Sequence, residues 1–222
     1  HLKYVMIAPE MLKGKYDVID YCVSKGMKVA IGHTGATFDI CKKAIEHGAT
    51  SFTHTYNGMK GLHHREPGVV GAALLNGDAY AELICDLIHI CPNAIKVLLK
   101  CKGKEKIILI TDSMESKNLP DGKYALGGQD VFVKNGEARL ADGTLAGSTL
   151  KLNKGLYNFM KVTGLTIPEV VDCATKNPAK NLGVYDTKGS IKEGKDADFT
   201  VIDKDFNVYM VVSEGKVVYN TL

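Results

Sequence analysis

The sequence lacks the segments by which membrane, exported and nucleic-acid-binding proteins are commonly recognised. No apolar run is long enough to span a bilayer, and no charged and then apolar leader indicates export. The 28 Lys and Arg residues are mixed with 25 Asp and Glu residues, giving a formal net charge of +3. The chain has no basic block and no interleaving of basic and aromatic residues of the kind found in nucleic-acid binders. We therefore expect neither a membrane nor a nucleic acid among its partners.

Cysteine is present, but without the spacing of a structural zinc site or a disulfide framework. No two cysteines form a C-x-x-C pair. In a chain of 222 residues six cysteines are too few and too irregular for a disulfide framework. We expect free thiols in a reducing compartment, and so a cytoplasmic protein. The cysteines are Cys22, Cys41, Cys85, Cys91, Cys101 and Cys173.

The composition itself is that of an ordinary globular protein, with 45% hydrophobic and 24% charged residues. The length suits one large domain, with or without a smaller appendage. In the first half of the chain, short apolar runs alternate with segments of helical periodicity, which indicates parallel β/α units. The strand-like runs span residues 3–8, 28–32, 50–54, 80–85 and 106–111, and the predicted helices span residues 16–24, 38–47 and 93–101.

Two later regions depart from this alternation. Residues 124–140 alternate apolar and polar side chains around Asn135-Gly136, which favours a tight hairpin turn, so we predict a small β insertion. Two amphipathic helices and then a run of short strands follow it. We place a domain boundary near residue 184, giving domains of residues 1–183 and 184–222. The predicted helices span residues 150–163 and 167–176, and the strands span residues 199–203, 208–212 and 216–219.

Acidic or imidazole residues follow the predicted strands in phase. The carboxyl ends of the strands carry the active site in β/α barrels, and the spacing matches one β/α unit of roughly 30 residues. Each residue alone has an ordinary alternative: a histidine can be structural, and a carboxylate can begin or cap a helix. The phase of the whole set favours a catalytic centre. The residues, in strand order, are Glu10, His33, His54, His89 and Asp112.

One glutamate and two histidines form a recognised set of protein ligands for a catalytic zinc ion. Glu10, His33 and His54 are the candidates, and zinc is the metal that we expect first. Ferrous iron also suits two imidazoles and a carboxylate. A divalent cation lowers the pKa of bound water towards neutrality. Asp112 would then serve as the acid and base, and this combination hydrolyses an amide.

Six short strings support this interpretation because they occur together and in a fixed order. They are Ala8-Pro9-Glu10, Gly32-His33-Thr34, Thr53-His54-x-x-Asn57-Gly58-Met59, Arg65-Glu66-Pro67-Gly68, Thr111-Asp112-Ser113-Met114 and Leu145-Ala146-Gly147-Ser148. From about residue 3 to its end, the chain resembles the N-acetylglucosamine-6-phosphate deacetylases of the amidohydrolase superfamily. The resemblance implies that Glu10, His33 and His54 are metal ligands and that Asp112 is the catalytic aspartate.

The resemblance also implies a substrate site, a partner and a fold. Asn57, the backbone of Gly58 and Arg65 match positions that hold the sugar phosphate, and His89 matches a histidine that contacts the substrate. The family's arginine reaches the site of a neighbouring subunit, which implies a homodimer. Arg presents a planar fork suited to phosphate oxygens, although a solvated loop charge is its ordinary alternative. The implied fold is α/β: a partial (β/α)8 TIM-type barrel with about five of eight strands, followed by half of a β-sandwich.

One string departs from the family, and two other functions stay open. The family commonly has Gly where this chain has Leu87, in Asp86-Leu87-Ile88-His89, so we expect a reshaped sugar pocket. The leading prediction is hydrolysis of N-acetylglucosamine 6-phosphate to glucosamine 6-phosphate and acetate. A cyclic amidase of the dihydroorotase type is an alternative, although such enzymes usually depend on a lysine at the position of Glu10. A fragment that binds metal without catalysis is the other.

Overall fold

A five-stranded parallel sheet is the central element of the computed structural model, which describes residues 2–222. The strands pair in chain order, each parallel to the next. They are short and largely apolar, as expected of parallel strands that are covered on both faces. The predicted α/β class is therefore confirmed. The strands are β1 (Tyr4–Ile7), β2 (Lys28–Ile31), β3 (Ala49–Phe52), β4 (Tyr80–Ile84) and β5 (Ile107–Ile110).

One helix lies between each pair of successive strands. They are α1 (Asp17–Ser24), α2 (Phe38–Glu46), α3 (Gly68–Leu75) and α4 (Pro92–Lys102). Thr37 caps the start of helix α2, because its hydroxyl accepts a hydrogen bond from the Ile40 N–H. Helix α4 begins with Pro92 and ends with lysines, which suits the two ends of the helix dipole.

Helix α3 was not predicted from the sequence. Its sequence, GVVGAALL, has no polar face, and most of its residues are buried. A helix that is apolar on all sides gives no amphipathic period, so the pattern that reveals the other helices is missing. Helix α3 packs against α2 and α4. Its position between β3 and β4 completes the alternation of strands and helices.

The second half of the chain contains two small antiparallel sheets and three more helices. Strands β6 (Gly122–Leu126), β7 (Gln129–Lys134) and β8 (Glu137–Leu140) form one sheet, and β9 (Phe199–Ile202), β10 (Val208–Ser213) and β11 (Lys216–Asn220) form the other. Between them lie α5 (Leu152–Thr163), α6 (Ile167–Asp172) and α7 (Lys176–Leu182).

The helix predicted over residues 167–176 is shorter than predicted, and helix α7, which follows it, was not predicted. Helix α6 starts as predicted at Thr166, where Thr166 and Glu169 form a capping box. It ends at Asp172, and the backbone of Thr175 is non-helical, with φ −128° and ψ −75°. Helix α7 carries Pro178 and two asparagines, which are weak helix formers, and its sequence therefore gave no signal.

Two buried clusters join the helices to the sheet. The first cluster contains Val29 and Phe52 of the sheet with Val69 of α3. The second contains Leu83 and Ile107 of the sheet, Phe159 of α5 and Phe206 from the loop before β10. Phe206 thus ties the C-terminal strands to the β/α part, and its carbonyl accepts a hydrogen bond from Asn153 Nδ2 at 3.0 Å. The domain boundary near residue 184 stays a prediction.

Within residues 2–222, no helix combines the length and the apolar character that crossing a membrane requires.

Candidate active site

Three of the predicted site residues follow their strands at the same position and with the same backbone conformation. His33, His54 and Asp112 are each the second residue beyond the end of β2, β3 and β5, respectively. Their φ angles are 46°, 33° and 51°. Residues other than glycine rarely adopt this left-handed conformation, which costs about 1–3 kcal/mol and is kept where the surroundings enforce it. The shared departure from the strand makes this edge of the sheet the candidate site.

The structure brings His33 and His54 together. Their ring centroids are 4.6 Å apart and the rings meet nearly edge to face, at 87°. His54 is buried, and within residues 2–222 its Nδ1 has no hydrogen-bond partner. Burial lowers the pKa of His54, and neighbouring His33 lowers it further, whereas Asp112 opposes the shift. A neutral imidazole is the form that binds a metal ion.

Glu10 lies in the 3-10 helix Pro9–Leu12 that follows β1. Its carboxylate accepts hydrogen bonds from the Thr34 hydroxyl and, at 2.9 Å, from the Gly35 N–H. Partial desolvation acts to raise the pKa of Glu10, but these bonds bring it below its ordinary value. Glu10 is therefore an ionised oxygen donor held against the loop that carries His33.

The three candidate ligands suit a divalent metal by their chemistry, since two imidazoles and a carboxylate form a known zinc set. The unpartnered Nδ1 of buried His54 supports the same assignment. In the described part of the chain, no group of three or more His, Cys, Asp or Glu side chains converges closely enough to hold a metal ion. The structure therefore brings the two imidazoles together and leaves Glu10 bonded to Thr34 and Gly35.

Ser148 fixes the backbone on both sides of Asp112. The Ser148 N–H donates to the Asp112 carbonyl at 2.9 Å, and the Ser148 hydroxyl donates to the Thr111 carbonyl. The Ser148 carbonyl accepts from the Met114 N–H at 2.9 Å. Sequence reasoning assigned no chemistry to the string Leu145–Ser148. The structure shows that it holds the catalytic candidate in its left-handed conformation.

A buried carboxylate, Glu82 of β4, lies beside the same centre. The Tyr4 hydroxyl donates to Glu82 and lies 2.6 Å from Ser51 Oγ, and the Glu82 carbonyl accepts the Thr55 N–H at 2.7 Å. Burial raises the pKa of Glu82, while Tyr4, Ser51 and the His54 N–H oppose the shift. Sequence reasoning missed Glu82 because it lies inside an apolar run rather than after it.

Asn57 and Gly58 contact the two histidines. The Asn57 N–H donates to the His54 carbonyl at 2.9 Å, and the Gly58 carbonyl accepts the Thr34 N–H at 2.9 Å. Gly58 has φ 56°, and a Cβ at this position would lie 3.0 Å from His33 Nδ1. A side chain at residue 58 would therefore press against the imidazole, which explains why the position is glycine.

His89 and Arg65 lie further along the loops of this edge. His89 is buried against Asp86, with Nδ1 2.6 Å from Oδ2. Arg65 is exposed, and Nη1 lies 2.8 Å from His64 Nε2. The described contacts of Arg65 are with the two preceding histidines, so the structure does not bring it to the histidine pair. Glu66 accepts the N–H groups of Phe38 and Gly68, and this fixes the loop to the starts of α2 and α3.

Comparison with known proteins agrees with this arrangement. The chain is 40% identical over 218 residues to an N-acetylglucosamine-6-phosphate deacetylase of Bacillus subtilis. This match covers 98% of this chain and 55% of the relative. It is 40% identical over 215 residues to an N-acetylgalactosamine-6-phosphate deacetylase of Escherichia coli, covering 97% and 56%, respectively. The chain thus spans about half the length of the curated relatives that it matches.

Solved structures give the same result. A mutant N-acetyl-D-glucosamine-6-phosphate deacetylase of Mycobacterium smegmatis, in complex with N-acetyl-D-glucosamine-6-phosphate, superposes with a TM-score of 0.92 and is 34% identical. The match covers 98% of this chain and 58% of that one. The sequence model of the amidohydrolase family matches residues 5–218. The chain therefore belongs to the amidohydrolase family.

Proposed function

We propose that the natural polypeptide that carries this sequence (the intact polypeptide) deacetylates N-acetylglucosamine 6-phosphate. Water adds to the acetyl carbon, the C–N bond breaks, and acetate and glucosamine 6-phosphate are released. The observation that carries the proposal is the pairing of His33 and His54, which leave their strands in the left-handed conformation shared by Asp112. Relatives that cover nearly the whole chain and carry deacetylase names support it.

Membership of the amidohydrolase family implies a divalent metal. Glu10, His33 and His54 would hold it, and zinc is the metal that we propose, with ferrous iron as the alternative. When bound, such a metal lowers the pKa of water and polarises a carbonyl oxygen. The low pKa of Glu10 and the burial of His54 keep both groups in the forms that bind a cation, ionised and neutral, respectively.

Asp112 is the proposed acid and base. It takes the proton of the attacking water and returns it to the sugar nitrogen as the C–N bond breaks. The hydrogen bonds of Ser148 fix the backbone at Asp112. The charge of Asp112 acts to raise the pKa of the His54 imidazole, so the two side chains lie near one another. The short distance that a proton transfer requires depends on this backbone geometry.

Asn57, the Gly58 backbone, His89 and Arg65 are the proposed substrate contacts. Asn57 and Gly58 lie directly against the histidine pair, so a sugar bound there would reach the reactive centre. Arg65 is exposed and bonded to His64, which suits a role in the site of a neighbouring subunit. We therefore propose a homodimer, which the molar mass in solution tests; a monomeric, fully active enzyme would refute it.

N-acetylgalactosamine 6-phosphate is a second candidate substrate, since one relative at 40% identity carries that name. The two sugars differ in the orientation of one hydroxyl group. Acetate release from both sugar phosphates and from the unphosphorylated sugars tests the proposal. We expect the phosphorylated amino sugars to be hydrolysed with the higher kcat/KM. Release of acetate from none of them would overturn the proposed function and leave the cyclic amidase or non-catalytic alternatives.

A cytoplasmic location is also part of the proposal. All six cysteines are free thiols, as expected in a reducing compartment. Cell fractionation tests this location, and recovery of the protein outside the cytoplasmic fraction would refute it.

A further inference from the structure

Asp86 occupies a position after β4 that matches the positions of the site residues after the neighbouring strands. His33, His54 and Asp112 are each the second residue beyond their strands, and so is Asp86. On the paired strands β4 and β5, Ile84 lies opposite Ile110, so Asp86 and Asp112 both lie two residues beyond that pair. The spacing of the site residues in the sequence predicted His89 as the residue that follows β4. In the structure, the position after β4 that corresponds to Asp112 after β5 is Asp86.

The carboxylate of Asp86 is fully engaged with the loop that carries His89. Oδ2 lies 2.6 Å from His89 Nδ1, and Oδ1 accepts the N–H groups of Ile88 and His89, both at 2.9 Å. The side chains of Asp86 and His89 are 8% and 7% exposed, respectively. These bonds from His89 and Ile88 bring the pKa of Asp86 below its ordinary value, although burial acts to raise it.

An ionised carboxylate only accepts hydrogen bonds, so the imidazole must donate from Nδ1 to Asp86. This fixes the proton on Nδ1 and leaves Nε2 available to a group outside the loop. Carboxylates that orient a metal-bound histidine in this way act through the histidine, and their loss typically lowers activity or metal affinity about 10–100-fold. We expect a loss of similar size where the oriented histidine contacts the substrate.

We propose that Asp86 is a positioning residue that holds His89 with its proton on Nδ1 and presents the unprotonated Nε2, as a hydrogen-bond acceptor, to the substrate. The role of His89 rests on the proposed function, whereas the orientation of the imidazole does not. Asp86 itself does not contact the substrate. The group that Nε2 serves is therefore a hydrogen-bond donor, a hydroxyl or the amide N–H of the N-acetylated sugar phosphate.

Asp86 also closes the turn at Leu87 through Oδ1, and a purely structural role must be separated from the positioning role. Asp86→Asn separates them because the asparagine oxygen can still accept the N–H groups of Ile88 and His89. Its amide nitrogen then donates to Nδ1 and forces the proton of His89 onto Nε2. The turn is kept and the imidazole tautomer is reversed.

The chain provides a matched control in a second aspartate–histidine pair. Asp20 Oδ1 lies 2.8 Å from His47 Nδ1, at a distance similar to that of the Asp86 pair. Both side chains of this pair are largely exposed, and they lie on α1 and at the end of α2, away from the strand ends. Asp20→Asn makes the same chemical change where no effect on turnover is expected.

The test measures the ¹⁵N signals of His89 and steady-state deacetylation in the intact polypeptide, with Asp20→Asn measured beside Asp86→Asn. We expect the proton on Nδ1 in the wild type and on Nε2 in Asp86→Asn. We expect kcat/KM to fall about 10–100-fold in Asp86→Asn, because Nε2 no longer accepts a hydrogen bond from the substrate, and we expect no change in Asp20→Asn.

Two results would overturn the proposal. One is a wild-type His89 without a proton on Nδ1, which needs no variant and therefore does not depend on how Asp86→Asn folds. The other is a folded Asp86→Asn enzyme with the tautomer reversed and kcat/KM kept within about twofold of the wild-type value. A wild-type protein that releases no acetate would instead refute the proposed function, and the tautomer would still be read from the NMR spectrum.

Discussion

Gly32→Ala is a direct perturbation of the pairing between the two site histidines. Gly32 immediately precedes His33, and a Cβ at residue 32 would lie 2.8 Å from the Cβ of Thr53, which immediately precedes His54. It would also lie 2.6 Å from Met6 Sδ. The partly exposed Met6 side chain can move away, but the Cβ of Thr53 is fixed to β3. The substitution therefore pushes apart the ends of β2 and β3.

The expected destabilisation is about 1–3 kcal/mol, the usual range for an added group in a well-packed region. In a chain of this size each kcal/mol lowers Tm by about 2–4 °C. The strand ends carry His33 and His54, so the affinity for the proposed metal should fall together with Tm. Thermal unfolding and zinc titration of the intact polypeptide measure both effects.

Gly35→Ala is the matched control, three residues further along the same loop. A Cβ at residue 35 meets nothing within 4 Å, and the φ of Gly35 is not positive. This variant should keep the zinc affinity and should be neutral or more stable by about 0.4–1 kcal/mol, because alanine restricts the unfolded chain. Unchanged Tm and zinc affinity in Gly32→Ala would refute the packing argument.

Four further substitutions test separate parts of the site. Asp112→Asn should keep the metal and lose turnover, as measured by elemental analysis and acetate release; retained turnover would exclude the acid–base role. Arg65→Ala should raise KM for the phosphorylated sugar by roughly 10-fold or more, from lost charge-assisted bonds, and leave plain sugars unaffected; equal losses on both would contradict a phosphate contact. Ser148→Ala should lower kcat without changing KM, because the Thr111 carbonyl loses its hydroxyl donor beside Asp112. Kinetics identical to those of the wild type would show that this hydrogen bond does not help to position Asp112. Tyr4→Phe should destabilise the fold by about 1–3 kcal/mol, measured by denaturant unfolding, because buried Glu82 loses a donor; unchanged stability would show that this bond contributes nothing.

The sequence predicted the strands well because each is a short apolar run bounded by turn residues or by a periodic helix. The residues that follow these strands could be identified for the same reason, since the end of an apolar run marks the end of a strand. The sequence puts His33, His54 and Asp112 at or just past the ends of the predicted strands, and in the structure each lies two residues beyond its strand. Their roles as metal ligands and catalytic base stay predictions.

Other features left no sequence signal, each for a physical reason. Helix α3 is buried on all sides and so shows no polar face. Glu82 lies within an apolar strand, where its partner Tyr4 is 78 residues away in the chain. Nothing in the sequence shows that the Asp86 carboxylate meets the His89 ring, so a role for Asp86 was not predicted. These contacts depend on the packing of distant strands and loops.

Leu87, where the family commonly has glycine, has an unfavourable backbone conformation in the structure. Its φ of 69° lies in the left-handed region, where the glycine that the family commonly has at this position carries no steric cost. Leucine in this conformation costs roughly 1–2 kcal/mol. The Asp86 hydrogen bonds to Ile88 and His89 hold the turn despite this cost. The leucine side chain is partly exposed next to His89, which supports the expectation of a reshaped sugar pocket.

The central claim is that a metal held by Glu10, His33 and His54 makes the intact polypeptide a deacetylase of N-acetylated sugar phosphates. The most direct measurement follows acetate release from N-acetylglucosamine 6-phosphate after chelation and during stepwise return of zinc or ferrous iron. The claim predicts that activity disappears when the metal is removed and returns in proportion to the metal bound. It also predicts that His54→Gln neither binds the added metal nor becomes active. Full acetate release by protein shown to be free of metal, or by His54→Gln, would contradict it.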